Sequence, residues 1–484
     1  MSRALRLLVV AGALMAGPSA VAAAQDAPGP ADTLGLGAFL ERVRASHPAA
    51  RQAELARRQA LADLRAARGG FDPSVSASWD YKRFKGIGYY DELDLRLTVP
   101  TPWGVDVKVG WERAAGAIIN PERATPTNGL LSAGLSIPVG PRLLADERRT
   151  SLRQAELAAE TAEAEATNAL LRLLQQAARD WGAWYEAEAR ARIAEEGVGL
   201  ARFRLDAVRS RVREGDAAPI DSVEAAAEWE RRLLAAIEAR ASVASARLQV
   251  SGYLWDGAGA PVPLREVRPG AAPASTALPT MDAPALDRLA RGHPSVQSAR
   301  ARWLQAEAQR RLVLTQVLPS PSAEVSALAA GSSLGALPSP ADLSDDAKLS
   351  ANVRVPLFLR RELGRLRAAE DRARALAVER DKVARDVRLA AERAAVEAQA
   401  VEDQLTGQTH VLAASEALLA AEQRRFEAGE SSLLIVNLRE RTVLDERQRL
   451  AQLQARRATA LGSLAVALGT PQLLTGETAG APRR

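Results

Sequence analysis

Histidine and cysteine, two residue types that commonly carry acid–base and metal chemistry, are scarce in this sequence. Among 484 residues there are three histidines, His47, His293 and His410, and no cysteine. The missing thiols exclude disulfides, thiolate metal sites and a lipid-modified N-terminal cysteine. His47 and His293 each stand directly before a proline that opens a helical pattern, the arrangement of an N-cap followed by Pro at the first helical position. No carboxylate cluster accompanies them, so neither a metal nor a catalytic role is indicated. There is also no phosphate-cradling glycine loop and no nucleophile beside a base. The expectation is a protein with no enzymatic activity and no cofactor.

Two turns combine charged residues with a glycine, RSRVREGDAAPIDSVEAA and EQRRFEAGESSLLIVNLRE. In each, a long helical pattern ends near an arginine and a glycine, and a shorter helical pattern runs back. Gly215 and Gly429 suit a backbone that must adopt positive φ. Glu214, Asp216, Asp221 and Glu224 crowd the first turn, and Glu430 stands in the second. Asp221 and Glu224 also fall in the opening turn of the return helix, where carboxylates complement the helix dipole by about 0.3 kcal/mol or more.

The elements that place these turns occur twice. LERVRASHPAARQAELARRQALADLRAARGGFDPSVSAS, from Leu40, matches LDRLARGHPSVQSARARWLQAEAQRRLVLTQVLPSPSAEVSA, from Leu286. Each has a short helix pattern, His-Pro, a second helix pattern, then a proline where alternation of period two begins. SIPVGPRLLADERRTSLRQAEL and RVPLFLRRELGRLRAAEDRA follow, each a strand that turns into a very long charged helix. Helices expected over 142–213 and 360–427 would be roughly 108 and 102 Å long at 1.5 Å per residue. The shorter pairs, 48–69 with 219–253 and 294–318 with 433–468, sum to roughly 85 to 92 Å, so each pair stacked end to end would run beside one long helix. Leu170, Leu173, Leu174, Ala177, Trp181 and Trp184 form an apolar stripe that suits neighbouring helices and looks too narrow for a globular core.

Between positions 73 and 137 the apolar residues fall on every second position. They are Val75, Ala77, Trp79 and Tyr81; Leu93, Leu95, Leu97 and Val99; Val105, Val107, Val109 and Trp111; and Leu131, Ala133, Leu135 and Ile137. Polar residues intervene, which is the apolar-out, polar-in pattern of barrel strands long enough to cross a bilayer when tilted. The second half offers two such segments, 323–329 and 349–355. A soluble hairpin domain would alternate in the same way. The opening MSRALRLLVVAGALMAGPSAVAAAQ reads as a signal peptide, so the chain is expected to be exported, and no later stretch has the roughly 20 apolar residues of a membrane helix. Removing Arg3 and Arg6 lowers the formal charge of +5 by two, and the remaining charges alternate in sign, without the basic stripe of a nucleic-acid binder. Four to six strands cannot close a barrel in lipid, so copies of the subunit must share one.

This order of elements resembles the TolC-like outer-membrane efflux protein family, or outer membrane factors, across essentially the whole mature chain. The resemblance implies a mainly α fold with β-barrel strands. In it, a duplicated helix-strand-helix repeat forms a long periplasmic α-helical barrel and a shared trimeric transmembrane β-barrel, with four or six strands per subunit. The expected divisions are a signal peptide at 1–24, a first repeat at 25–254 with strands within 73–138, a linker at 255–283, a second repeat at 284–469 with strands within 320–356, and a tail at 470–484. The implied role is an outer-membrane channel subunit of a tripartite efflux or type I secretion system, a homotrimer in outer-membrane lipid. It would conduct substrates passively from a periplasmic adaptor (membrane fusion) protein and inner-membrane pump. Arg213, Gly215, Arg425, Phe426 and Gly429 are the implied adaptor-docking tip. The family's acidic aperture positions are occupied here by Ile435 and Leu438, so Asp216, Asp221, Glu224, Glu430, Ile435 and Leu438 are the candidate gate. The hairpin joined by PTPWG adds two strands to the family's usual two per half. The competing readings are a non-conducting periplasmic coiled-coil scaffold or adaptor, and a stand-alone diffusion pore.

Overall fold

A computed structural model describes residues 33–140, 145–264, 267–272, 282–332, 337–355 and 357–471. The signal-peptide segment and the C-terminal tail beyond Pro471 lie outside them. The elements run β1 (Thr33–Leu34), α1 (Leu36–Ser46), α2 (Pro48–Arg68), β2 (Ser74–Phe84), β3 (Ile87–Pro100), β4 (Asp106–Ala115), β5 (Leu130–Pro138), α3 (Glu147–Glu214) and α4 (Pro219–Ser251). They continue with β6 (Arg268–Pro269), α5 (Ala283–Gly292), α6 (Pro294–Val317), β7 (Ser320–Ala330), β8 (Ala347–Arg354), α7 (Arg360–Glu427) and α8 (Leu433–Leu468). Both long helices have 68 residues, about 102 Å each. The first begins at Glu147 rather than 142, because the Asp146 carboxylate accepts the Arg149 N–H at 2.8 Å and caps it there.

The helices stand in a row of four columns. α3 is flanked on one side by α2 and α4 and on the other by α6 and α8, and α7 lies beyond α6 and α8. Cross-links between α3 and the α6/α8 column follow in order along α3: Gln154 with Gln309, Ser295 with Asn168, Gln175 with Ser463, and Tyr185 with Gln454. The short helices therefore stack end to end, as their lengths predicted. Close approach is needed at the middle of the row, where a Cβ on Gly182 of α3 would stand 2.8 Å from the Ala455 carbonyl oxygen of α8.

The two proline-preceding histidines mark the stacking joints. His47 Nδ1 accepts the Ala49 N–H at 3.1 Å at the start of α2, and its ring lies 5.8 Å from Tyr253, just past the end of α4. His293 Nδ1 accepts the Ser295 N–H at 3.1 Å at the start of α6, while its Nε2 meets the Val466 carbonyl of α8 at 3.0 Å. With Nδ1 accepting, the ring proton sits on Nε2 and is donated to Val466.

The apolar stripe on α3 supports more than a seam. Leu174, Ala177, Trp181 and Trp184 are fully buried in a cluster with Phe39, Leu40 and Val43 of α1, Val250 of α4 and Ala458 and Ala465 of α8. The stripe alone is too narrow for a core, and the missing face comes from α1 and the paired strands β1 and β6. Trp181 Nε1 donates to the Leu34 carbonyl oxygen at 3.0 Å. The expected linker is thus partly built into this waist.

The other sheet is antiparallel, in the order β2-β3-β4-β5-β7-β8. Both repeats contribute to it, four strands and two, joined where β5 pairs with β7. Lys108 on β4 reaches Glu324 on β7 at 2.7 Å across β5, and between them a Cβ on Gly134 would stand 2.2 Å from the Val325 carbonyl oxygen. The polar side chains of β4 and β7 therefore meet over Gly134 on one face of the sheet. Only β2 and β8 keep a free edge in this sheet.

Candidate functional site

Both tips close by the same backbone device. At the end of α3, Gly215 takes φ 85°, its N–H donates to the Val212 carbonyl at 3.2 Å, and the Asp216 N–H donates to the Arg211 carbonyl at 2.9 Å. At the end of α7, Gly429 takes φ 77°, its N–H donates to Phe426 at 3.0 Å, and the Glu430 N–H donates to Arg425 at 2.8 Å. These are two Schellman motifs in the same register, which need a residue free of a Cβ in the left-handed position.

An arginine completes each motif. Arg211 and Arg425 both supply the carbonyl that receives the last amide, and both side chains reach forward to the carbonyl oxygen beyond the glycine, Asp216 at 3.5 Å and Glu430 at 3.4 Å. The first-repeat counterpart of Arg425 is therefore Arg211. Arg213, which the resemblance places at the tip, is exposed and donates to Ser210 Oγ at 3.1 Å. The Arg-x-x-x-Gly spacing, read identically in both turns, is the signal that would have found it.

Of the acidic candidates, Asp216, Asp221, Glu224 and Glu430 are all exposed. The Asp221 carboxylate accepts the Ala218 N–H at 3.2 Å, three residues back, so it caps the start of α4 whatever else it does. Phe426 is half-buried. Ile435 is 40% exposed and Leu438 59% exposed on α8, next to Leu434 at 74%, so this helix opens with an apolar face that the single chain leaves uncovered.

Behind the tips the two hairpins are tied by charges that local spacing could not reveal. Arg204 of α3 binds Glu440 of α8 at 2.7 Å, with Glu440 nearly buried. Arg441 of α8 and Arg232 of α4 share Glu228 at 2.9 and 3.0 Å. Burial pushes the Glu228 carboxyl up, but the two guanidiniums outweigh it and hold it below its ordinary range. Among the described residues no group of acids and histidines could hold a metal ion, and no helix is long and apolar enough to cross a membrane.

Long paired helices, repeated in the two halves of the chain, lead into one shared antiparallel sheet. Residues 285–470 match the outer membrane efflux protein family. The fold agrees along most of the chain with the outer membrane protein VceC from Vibrio cholerae, at 16% identity and TM-score 0.62, covering 90% of this chain and 96% of that one. The Neisseria gonorrhoeae MtrE outer membrane channel in its open state gives 17%, 0.62, 90% and 89%, and the Campylobacter jejuni CmeC outer membrane channel gives 13%, 0.60, 90% and 85%. No curated protein matches the sequence. The second half therefore carries a match to the outer membrane efflux protein family in sequence, and the fold of most of the chain is like that of these outer membrane channels.

Proposed function

We propose that the protein is the outer-membrane channel subunit of a tripartite efflux or type I secretion system. In this reading it is exported, assembles as a homotrimer, and passively conducts substrates from a periplasmic adaptor and inner-membrane pump to the exterior. The partners supply the energy, and the protein itself catalyses nothing. The carrying observation is that helices and sheet are left open on the same two sides. The column of α2 and α4 leads into free-edged β2, and free-edged β8 leads into α7. One rotation between copies can therefore close both, and closure leaves no unpaired strand edge in lipid.

Exposed apolar side chains on the outer columns fit such a seam, among them Leu234 and Leu248 on α4 and Val378 and Val396 on α7, each at least 65% exposed in the single chain. The two Schellman tips, with Arg425, Phe426 and the glycines, are the adaptor-docking surface, and the acidic and apolar residues at the start of α4 and α8 form the gate. Mass measurement of the protein purified in detergent tests the assembly. A detergent-requiring trimer is expected, and deletion of 74–137 should leave helical material that no longer associates with the membrane. A monodisperse monomer without detergent would overturn the reading in favour of a soluble scaffold. Raised permeability with no adaptor present would favour a stand-alone pore.

A further inference from the structure

The strand register bears on how wide the exit is. Opposed residues of an antiparallel pair share a face. On β3, Leu95 and Leu97 oppose Ala77 and Val75 of β2 on one side and Trp111 and Val109 of β4 on the other. The β4 pair continues to Leu131 and Ala133 of β5, and from there the band runs through Ala329 and Ala327 of β7. Val325 and Ala327 then meet Leu349 and Ala347 of β8. The apolar band thus crosses all six strands without a break, on the face opposite the Lys108–Glu324 ion pair. β3 matters most, because a barrel of four strands per copy must set aside either β2 with β3 or β3 with β4. A strand set aside in water would have no reason to carry the same band in the same register.

We propose that all six strands of each copy enter the bilayer, so that three copies close an eighteen-stranded barrel whose girth matches the helical tunnel beneath it. This rests on the trimeric outer-membrane reading above. Eighteen strands about 4.8 Å apart and tilted about 40° trace a circumference of about 113 Å, whereas twelve would trace about 75 Å. The four helical columns of each copy, at interaxial spacings of about 8–10 Å, trace about 96–120 Å for three copies. At equal tilt, six strands per copy therefore give a barrel about 1.5 times the circumference that four would give. Six is also even, so β8 of one copy meets β2 of the next antiparallel, as every other pair in the sheet does. The added hairpin sets the size of the exit, and an exit as wide as the tunnel suits bulky substrates, including polypeptides.

The absence of native cysteine allows a direct test with single cysteines in the full-length trimer. Leu95→Cys and Leu97→Cys place a fluorescent probe on β3, and Val325→Cys places one on β7, which lies in the membrane under either strand count. In vesicles containing nitroxide-labelled phospholipid, the β3 probes should be quenched to within about twofold of the β7 probe, as the shared apolar band requires. Quenching at Val325 alone would overturn the eighteen-stranded barrel and leave the channel reading intact. Absence of quenching at all three positions would remove the membrane assignment itself, and the proposal with it. Should a labelled variant fail to assemble, imaging of the unlabelled trimer decides, because the two strand counts differ by about 1.5-fold in barrel circumference.

Discussion

His47 and His293 do equivalent work at equivalent joints, each ending a helix stack and capping the next helix with a ring nitrogen. Burial lowers the pKa of both below the ordinary imidazole value, because a charged ring there loses its hydration. Protonating His293 on Nδ1 would also abolish the acceptor that caps α6. An unfolded chain takes up this proton near pH 6.5 and the folded one only at lower pH, so the stabilisation is complete above about pH 6.5 and is lost as pH falls through the folded value. Thermal melts across pH 7.5 to 5 should show that loss. His293→Asn, which keeps a capping acceptor without a titratable ring, should reduce the pH-dependent loss to the share that His47 contributes, and His293→Ala should cost about 1 kcal/mol at neutral pH through the lost cap. The tip glycines make a different demand. A Cβ on Gly215 or Gly429 meets nothing within 4 Å, so Gly215→Val or Gly429→Val would cost only the roughly 1–2 kcal/mol of a left-handed side chain. Adaptor crosslinking and transport should fall while trimer yield holds. An equal fall in trimer would leave these glycines a purely structural role.

At the scale of elements, the sequence was most legible where one local signal sufficed. Both Pro-initiated α2 and α6 begin where His-Pro places them, and α7 and α8 run over the expected residues, because caps and periodicity act within one turn. The waist is hidden from local pattern for the opposite reason. Trp181 and Trp184 look like a narrow stripe until α1, β1 and β6, up to about 150 residues away in sequence, fold over them, and no local pattern announces that contact. Arg213 stands nearer the glycine in sequence, whereas backbone geometry pairs Arg211 with Arg425. The close approach of α3 and α8 at Gly182 was equally invisible, and it carries a prediction. Gly182→Val would push a branched side chain into the Ala455 carbonyl, and overpacking of this kind costs about 1–3 kcal/mol. The variant should melt earlier with its tips unchanged, so adaptor crosslinking per folded trimer should match the parent protein.

At the scale of the whole molecule, a threefold axis would turn each tip residue into a ring, and one exposed carboxylate would become three like charges around the mouth. Asp221 and Glu224 on α4 occupy the helix positions that Ile435 and Leu438 occupy on α8, so the two repeats would present alternating acidic and apolar sectors to the same opening. Repelling charges there hinder close approach of the tips and attract cations, whereas apolar sectors can shut the pore to ions by dewetting. Asp221→Asn with Glu224→Gln separates the two contributions. An asparagine keeps an oxygen to receive the Ala218 N–H, so the start of α4 survives while the charge goes. In planar bilayers the double variant should lose most of the cation preference and the block by multivalent cations, with the open conductance changed less than about twofold, since the bore is set by backbone and not by these side chains. If selectivity and block are unchanged, the acidic ring does not govern passage, and Ile435→Ser with Leu438→Ser becomes the informative variant: wetting an apolar constriction should raise the fraction of time the channel conducts.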